Sequence, residues 1–291
     1  MTPHGSAEIA GLLPQIEQYY DAVPRRGALA EDFGPLTLFV RKGQGWPYYA
    51  RPTLGWSGPI SAADVTRVRE RQCELGIPES FEWVAEVTPQ LRAAAEEAGL
   101  AVHEHPLMAL DPKAELPSLE QLAEGLGGSP GEDMTVRIID SRDSALPSAL
   151  AVPRLAFAEP GTALGEGGLA DLEQMVSAKA NDGSVQQAAD RIEAGWTVIA
   201  AAVHGTTALS AGQHQPIDTV SEIVGVGTLP TARRRGLAAA VTAALAVNAR
   251  GLGVEIVFLS ADSADVARIY GRLGFHQIAT ALIAEPAAKR G

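Results

Sequence analysis

Three consecutive arginines followed by a long uncharged segment constrain the fold of this chain more than any other feature of its sequence. Arg233, Arg234 and Arg235 precede Gly236, and the next charged residue is Arg250. The residues between are rich in alanine and predict a helix. Its apolar side chains recur at helical spacing: Leu237, Val241, Ala244 and Leu245. Such a helix must pack on a sheet, with its basic amino end exposed.

This helix follows a predicted strand and a tight turn, an arrangement that favours an anion. The first N–H groups of a helix have no partner within it, and its dipole places positive charge there. Gly236 allows close approach of a ligand, and small Ala238 and Ala239 leave the first turn open. A nucleotide P-loop is excluded because no Gly-Lys-Ser/Thr follows, and the dinucleotide glycine triplet is also missing.

Composition limits the partners and the compartment. The 291 residues carry a formal charge of −12, which argues against nucleic acid and means that an anionic ligand needs a local basic patch. No apolar run approaches the roughly 18 residues of a membrane span. The first ten residues contain no Lys or Arg and lack the pattern of a secretory signal. The single cysteine, Cys73, is predicted to be half-buried on a helix and fits a reducing compartment, so a cytoplasmic protein is expected.

The domain organisation follows from a stretch rich in proline and glycine between residues 111 and 133. We therefore predict a first domain at residues 1–112, a linker at 113–133 and a second domain at 134–291. Strands and helices are predicted in both halves. In the first half they are a helix at 7–20, strands at 36–41 and 48–51, a helix at 62–75, a strand at 81–84, a helix at 88–98 capped by Thr88, and a strand at 100–110. In the second half they are a strand at 135–139, helices at 145–157 and 169–192, strands at 197–204, 208–213 and 220–226, a helix at 236–250, a strand at 254–259, a helix at 263–273 and a closing strand pair after Phe275.

The second half resembles the GCN5-related N-acetyltransferase (GNAT) superfamily. Arg233, Gly236 and Ala238 occupy the fixed positions of its motif Gln/Arg-x-x-Gly-x-Gly/Ala. The segment 222–230 is similar to the family's fourth strand, and 267–275 is similar to its Leu-Tyr-x-Lys-x-Gly-Phe ending. The resemblance implies an α/β (α+β) fold with a mixed, mainly antiparallel sheet flanked by helices. It also implies acetyl-CoA as acyl donor, with no metal.

The resemblance also supplies a coenzyme site. Pantetheine would insert where the fourth strand splays from the fifth, and a backbone N–H near Val226, Gly227 or Thr228 would hold the thioester carbonyl. The pyrophosphate would lie on the loop and first helical turn, that is, on Arg233, Arg234, Arg235, Gly236, Leu237, Ala238 and Ala239. Ser263 stands where the family often has a coenzyme-binding Asn, and it is equally explained as a helix N-cap.

Two residues match catalytic positions of the family. Glu222 lies eleven residues before Arg233, the family's spacing for a general base, and would take the proton of the ammonium group. An exposed carboxylate without a role is the other interpretation. Tyr270 matches the position that directs a hydroxyl at the coenzyme sulfur, as general acid, although its spacing from Val266, Ile269 and Leu273 also suits a core residue.

The expected reaction is transfer of the acetyl group to a primary amine, and two alternative functions stay open. The acceptor is expected to be a small molecule reached by direct attack on the thioester, while a protein or peptide N-acetyltransferase and a non-catalytic acyl-CoA sensor stay open. A homodimer also stays open. The first half repeats the order of elements and resembles a degenerate copy, but 54–60 has no basic residue, so it should not bind coenzyme A.

The remaining candidates are histidines and aromatic residues. His103 and His105 share a strand face without a third metal ligand at a recognisable spacing. His204 and His214 either line the acceptor pocket or lie on the surface, and the surface is favoured. Four aromatic side chains of the first half either line the acceptor site or belong to the core: Trp46, Tyr48, Tyr49 and Trp56.

Overall fold

The computed structural model describes residues 6–43, 45, 47–118, 120–122 and 134–287, with side chains from residue 11 onward. In chain order the elements are α1 Ser6–Arg25, β1 Ala28–Asp32, β2 Leu36–Arg41, β3 Ala50–Pro52, α2 Ala62–Leu75, β4 Phe81–Val84, α3 Gln90–Glu97, β5 Leu100–Leu110, β6 Met134–Ile139, α4 Leu146–Ala158, α5 Leu169–Lys179, α6 Ser184–Glu193, β7 Val198–His204, β8 Thr207–Ile217, β9 Val220–Thr228, a 3-10 turn Pro230–Ala232, α7 Leu237–Gly251, β10 Ile256–Ser260, α8 Ala264–Gly271 and β11 Phe275–Pro286. None of the helices in these ranges is both long and apolar enough to cross a bilayer.

The chain contacts divide the protein into two units. Unit 1 comprises residues 1–108, 260–262 and 277–291, and unit 2 comprises 109–259 and 263–276. Most of β11 therefore belongs to unit 1, although it comes last in the chain. The boundaries drawn from the sequence, 1–112, 113–133 and 134–291, stay a prediction, and most of the proposed linker lies outside the described residues.

Unit 1 has a mixed sheet in the order β1-β2-β3-β4-β11-β5. β3 and β4 run parallel, while β1 with β2, β2 with β3 and β4 with β11 are antiparallel. One face is a packed apolar core that includes Phe81, Trp83 and Leu91. Elsewhere in this unit the buried guanidinium of Arg51 pairs with the Glu82 carboxylate at 2.8 Å, as a buried charge must.

The N-terminus of α2 in unit 1 is closed by its own residues. The Ser61 hydroxyl accepts from the Asp64 N–H, and the Asp64 carboxylate accepts from the Ser61 N–H at 2.8 Å, which completes a capping box. Three arginines precede α7, whereas the first turn of α2 carries a carboxylate. This arrangement is unfavourable to a phosphate.

Unit 2 has a sheet in the order β10-β9-β8-β7-β6, antiparallel except for β9 with β10. β7 is buried from Ile199 to Val203, which explains its uninterrupted apolar sequence. Helices cover both faces. Successive residues of β8 face opposite sides of the sheet, so Ala211 and His214, three positions apart, lie on opposite faces. His214 bonds to α7, whereas Gly227, opposite Ala211, lies against α4.

Several elements differ from the sequence prediction. The expected closing strand pair is one continuous strand, β11, and this prediction was wrong. The helical region 169–192 is two helices, because Gly183 takes a left-handed φ of 78° between them. β1 was not predicted. The N-cap of α3 is Pro89 rather than Thr88, without a side-chain cap, and Cys73 is exposed rather than half-buried.

Candidate functional site

The turn before α7 brings two left-handed residues together. After the 3-10 turn, Arg233 is extended, Arg234 has a φ of 65° and Gly236 has a φ of 78° at the N-cap of the helix. A Cβ on Gly236 would meet nothing within 4 Å, so glycine is favoured there by its backbone angle and not by crowding from the protein. The space beside Gly236 is open to a ligand.

Helix α7 is buried along most of its length, and its amino end faces out. Leu237, Val241, Ala244 and Leu245 are at most 1% exposed, as the apolar stripe predicted. Gly236 has no side chain to cap the helix, and the side chains of Arg234 and Arg235 are exposed. Unpartnered helix N–H groups, the helix dipole and two guanidinium groups therefore combine at one point, which is the physical requirement for binding a phosphate.

Strands β9 and β10 part beside this turn. Their parallel pairing runs from Val220 with Ile256 only to Glu222 with Phe258, although β9 continues to Thr228. A cleft between parting strands exposes backbone groups that a sheet normally pairs. The predicted splay of the fourth and fifth strands is thus present in the structure.

A β-bulge lies further along β9. Between the pairs Gln213 with Val224 and Ala211 with Gly227, two residues of β9 oppose one of β8, and Gly225 takes a φ of 65°. Ser210, which the sequence analysis did not select, fixes the strand beyond the bulge. Its hydroxyl donates to the Gly227 carbonyl at 2.9 Å and lies 2.9 Å from the Thr228 hydroxyl. The Thr228 side chain is therefore engaged within the protein.

Gly227 is required for the close approach of α4. A Cβ at this position would lie 2.8 Å from both the Ala156 Cβ and the Pro153 Cα. Both neighbours belong to α4, and one of the two contacts is with backbone. We expect Gly227→Ala to destabilise the protein by about 1–3 kcal/mol through overpacking and to move α4 from the bulge.

Urea unfolding of Gly227→Ala, with Gly251→Ala as control, measures this effect. A Cβ on Gly251 meets nothing within 4 Å. Equal unfolding midpoints for the two variants would show that α4 does not press on the bulge.

Glu222 lies at the last position where β9 pairs with β10. It is half-buried and opposes Gln215 on β8, so it faces the α4 side of the sheet, opposite His214. The carboxylate thus stands where β9 and β10 part. Its predicted role as general base stays a prediction.

Tyr270 and Ser263 lie on α8. Tyr270 is 8% exposed and its ring packs against Phe275 at a centroid distance of 6.1 Å, so it has the core packing that its spacing suggested. Its predicted role as acid stays a prediction. Ser263 is the N-cap of α8, with its hydroxyl accepting from the Val266 N–H at 3.4 Å. The capping interpretation of Ser263 is confirmed.

Arg233 makes contacts that the sequence did not indicate. Its guanidinium donates to the backbone carbonyls of Ala156 and Ala163, at 2.9 and 3.0 Å, and to that of Glu159. The first two positions flank the end of α4, which has no basic residue of its own in its last turn. The Arg233 side chain is thereby committed to the protein, and the main chain is the part of Arg233 that the turn presents.

His214 is fully buried, and its favoured surface placement was wrong. Its Nε2 lies 3.0 Å from Asn248 Oδ1 and its Nδ1 lies 2.8 Å from Ser221 Oγ. An amide oxygen only accepts, so Nε2 carries the proton and Nδ1 accepts from the serine. Burial lowers the pKa of His214, against the opposing effect of the Asn248 bond, and the ring is neutral.

This environment predicts acid sensitivity. Since the folded pKa of His214 is lowered, the unfolded chain binds the proton first as the pH falls below about 6.5. The free energy of unfolding should therefore drop between pH 6.5 and the lowered pKa. His214→Gln should flatten this pH dependence in urea unfolding at pH 5 and 7. The exposed His204→Gln should keep it, and equal slopes for both variants would contradict the assignment.

The other described candidates belong to unit 1. His103 is exposed, and His105 Nδ1 lies 3.2 Å from the Asp262 carbonyl in unit 1. Within the ranges that the structure describes, no group of three or more His, Cys, Asp and Glu side chains is placed to hold a metal. Tyr48 and Tyr49 are half-buried and Trp56 is 44% exposed, all in unit 1. Trp46 lies outside the described residues.

Comparison with known proteins agrees with this geometry. Residues 202–283, which include the bulge, the turn and α7, match the model of the FR47-like protein family. No curated protein sequence matches the chain.

Solved structures match over almost the whole chain. A GCN5-related N-acetyltransferase from Kribbella flavida has 21% identity and a TM-score of 0.63, over 96% of this chain and 97% of that one. One from Sphaerobacter thermophilus has 16% identity and a TM-score of 0.53, over 94% and 86%. A GCN5-related N-acetyltransferase-like protein from Streptococcus suis has 13% identity and a TM-score of 0.50, over 95% and 99%.

At these identities the structural likeness establishes the fold, and the predicted α/β fold class is confirmed. The family model independently identifies the segment that carries the turn and the bulge. The segment 202–283 is thus similar to the FR47-like protein family, and the fold of the chain is like that of the solved GCN5-related N-acetyltransferases.

Proposed function

We propose that unit 2 transfers the acetyl group of acetyl-CoA to a primary amine. The observation that carries the proposal is the junction of three features in one sequence segment: the parting of β9 from β10, the bulge at Gly225 and the left-handed turn at the N-terminus of α7. A thioester that ends in a long pantetheine arm and a pyrophosphate is the ligand that would use all three.

The proposed coenzyme site follows the segment. The pyrophosphate would contact the main chain of residues 233–239 and the guanidinium groups of Arg234 and Arg235. The pantetheine would pair with the exposed edge of β9, and the thioester carbonyl would accept from an N–H of Val226, Gly227 or Thr228. Ser263 is the least supported member, because its hydroxyl already caps α8.

The proposed chemistry is a direct transfer. The neutral amine nitrogen attacks the thioester carbon, the C–N bond forms and the C–S bond breaks. Before the attack Glu222 takes one proton from the ammonium group. As the C–S bond breaks, the Tyr270 hydroxyl protonates the departing thiolate, and the second proton that the nitrogen loses restores the tyrosine hydroxyl. Glu222 lies at the opening of the cleft, which supports its role, whereas the support for Tyr270 is its matching position in the family motif.

The proposed acceptor is a small cationic amine. A chain with a formal charge of −12 attracts cations, and Glu222 adds a local carboxylate at the cleft. Transfer to a protein or peptide, and acyl-CoA sensing without transfer, are the competing functions.

A thiol-release assay separates these functions. Purified protein is mixed with acetyl-CoA and a panel of small primary amines, and in parallel with lysine-rich peptides, while coenzyme A binding is measured by calorimetry. Release of free thiol that depends on a small amine supports the proposal. Binding without release for any acceptor would favour the sensor, and release with peptides alone would favour a protein acetyltransferase.

A further inference from the structure

The glycine-rich segment 159–168 is held by hydrogen bonds to the carboxylate of its own first residue, Glu159. The Glu159 carboxylate accepts from the N–H of Glu166 at 2.9 Å and from that of Gly167 at 2.7 Å. Each carboxylate oxygen thus holds one amide. Hydrogen bonds to a charged acceptor are stronger than those between neutral groups, so this carboxylate can fix the shape of the loop.

The same loop is hydrogen-bonded to Pro230 and Thr231, which come just before residues 233–236, here called the coenzyme turn. The Gly165 N–H donates to the Pro230 carbonyl at 3.2 Å, and the Gly167 carbonyl accepts from both the N–H and the hydroxyl of Thr231, each at 3.2 Å. The contacts are close as well as polar. A Cβ on Gly165 would overlap the Glu159 carboxylate and lie 2.8 Å from the Pro230 Cβ, and a Cβ on Gly167 would lie 2.8 Å from Glu159 Oε1.

Arg233 completes the connection from the other side. Its guanidinium bridges the carbonyls of Ala156, Glu159 and Ala163, which lie in the last turn of α4, at its C-cap and within the loop. Carbonyls at a helix C-terminus have no partner within the helix and favour a cation. The first arginine of the phosphate motif therefore caps α4, whose Ala156 also packs on Gly227 at the bulge.

We propose that Glu159 and Arg233 are positioning residues that form a fixed collar from loop 159–168, and that Arg233 couples the order of this collar to coenzyme A bound at the turn. The proposal rests on the proposed function for its ligand. Glu159 sets the fold of the collar, and Arg233 joins it to the coenzyme turn and the end of α4. The arginine acts on the coenzyme through the backbone that it holds, and its charge does not contact the phosphates.

Hydrogen exchange tests the collar without requiring any ligand. In the ligand-free protein, at least one of the amides of Glu166 and Gly167 should exchange roughly tenfold or more faster in Glu159→Gln, because glutamine keeps a single acceptor oxygen and turns an N–H donor toward the other amide. Glu166→Gln is the matched control, since it removes one negative charge from the same loop at an exposed side chain. Wild-type exchange of both the Glu166 and the Gly167 amide in Glu159→Gln would overturn the role of Glu159.

Salt dependence of coenzyme A binding tests Arg233. A guanidinium that contacts phosphate contributes to the fall of affinity with salt, whereas one that caps a helix does not. Arg233→Gln should weaken binding roughly tenfold, speed exchange in the collar and keep the wild-type salt dependence, while Arg234→Gln should make that dependence shallower. If Arg233→Gln does not fold, Arg233→Lys replaces it in the same measurements. Lysine keeps the charge but cannot bridge three carbonyls, so the same results are expected.

The outcomes separate the two proposals. A shallower salt dependence in Arg233→Gln with unchanged collar exchange would overturn the inference and leave coenzyme binding intact. Failure of the wild type to bind coenzyme A would overturn the proposed function and the coupling, while the ligand-free exchange of Glu159→Gln would still show whether the collar is held as described.

Discussion

Replacing Gly236 by aspartate is expected to abolish coenzyme A binding, with a loss of affinity of about a hundredfold or more. The new carboxylate would stand in the open space beside the N-cap of α7, where no protein atom lies within 4 Å of a Cβ. Two like charges about 4 Å apart near a protein surface repel by ~4 kcal/mol at an effective dielectric constant of ~20. Calorimetric titration with coenzyme A measures the effect.

Gly236→Asn is the matched control for this prediction. Asparagine and aspartate have the same shape, and both tolerate the left-handed φ of 78° better than other side chains do. The asparagine variant should therefore share any backbone cost and lose affinity only about tenfold or less, because it adds no charge. Equal affinities for the two variants would mean that no phosphate lies at this turn, and the proposed coenzyme site would be wrong.

The coenzyme turn could be predicted from the sequence because its determinants are local. The basic triplet, Gly236 and the apolar stripe of α7 all fall within one segment, and helix formation, burial and dipole follow from residue type and spacing. The structure adds the left-handed Arg234, which no residue preference indicates. The splay and bulge of β9 were expected from the family motif rather than from any pattern in the residues.

The connection of the collar to the coenzyme turn could not be predicted, because its bonds join residues that are distant in the sequence. Arg233 reaches carbonyls 70 to 77 positions earlier in the chain, and a backbone carbonyl leaves no mark in the sequence. The same holds for His214, whose partner Asn248 lies 34 positions away. A polar residue in a strand resembles a surface residue until the helix that covers it is known, and this is why its burial was missed.

Replacing Glu222 by glutamine is expected to lower kcat for acetyl transfer by ~10²–10³-fold near neutral pH, with little change in coenzyme A affinity. Glutamine keeps the size of the side chain at the last position where β9 pairs with β10, but it cannot accept the ammonium proton. Only the amine that is already neutral could then react. The defect should therefore shrink as the pH rises toward the pKa of the acceptor, because the neutral fraction grows without help from a base.

This pH dependence distinguishes a catalytic role of Glu222 from a purely structural one. The control is Glu173→Gln on α5, which removes an exposed carboxylate from the same unit and should leave kcat unchanged. If Glu222 served only to hold the strand edge, the glutamine variant would lose coenzyme affinity or stability, and its kcat defect would stay constant across pH. A constant defect, or none, would exclude Glu222 as general base. A defect that closes with rising pH is the result that only proton removal from the acceptor explains.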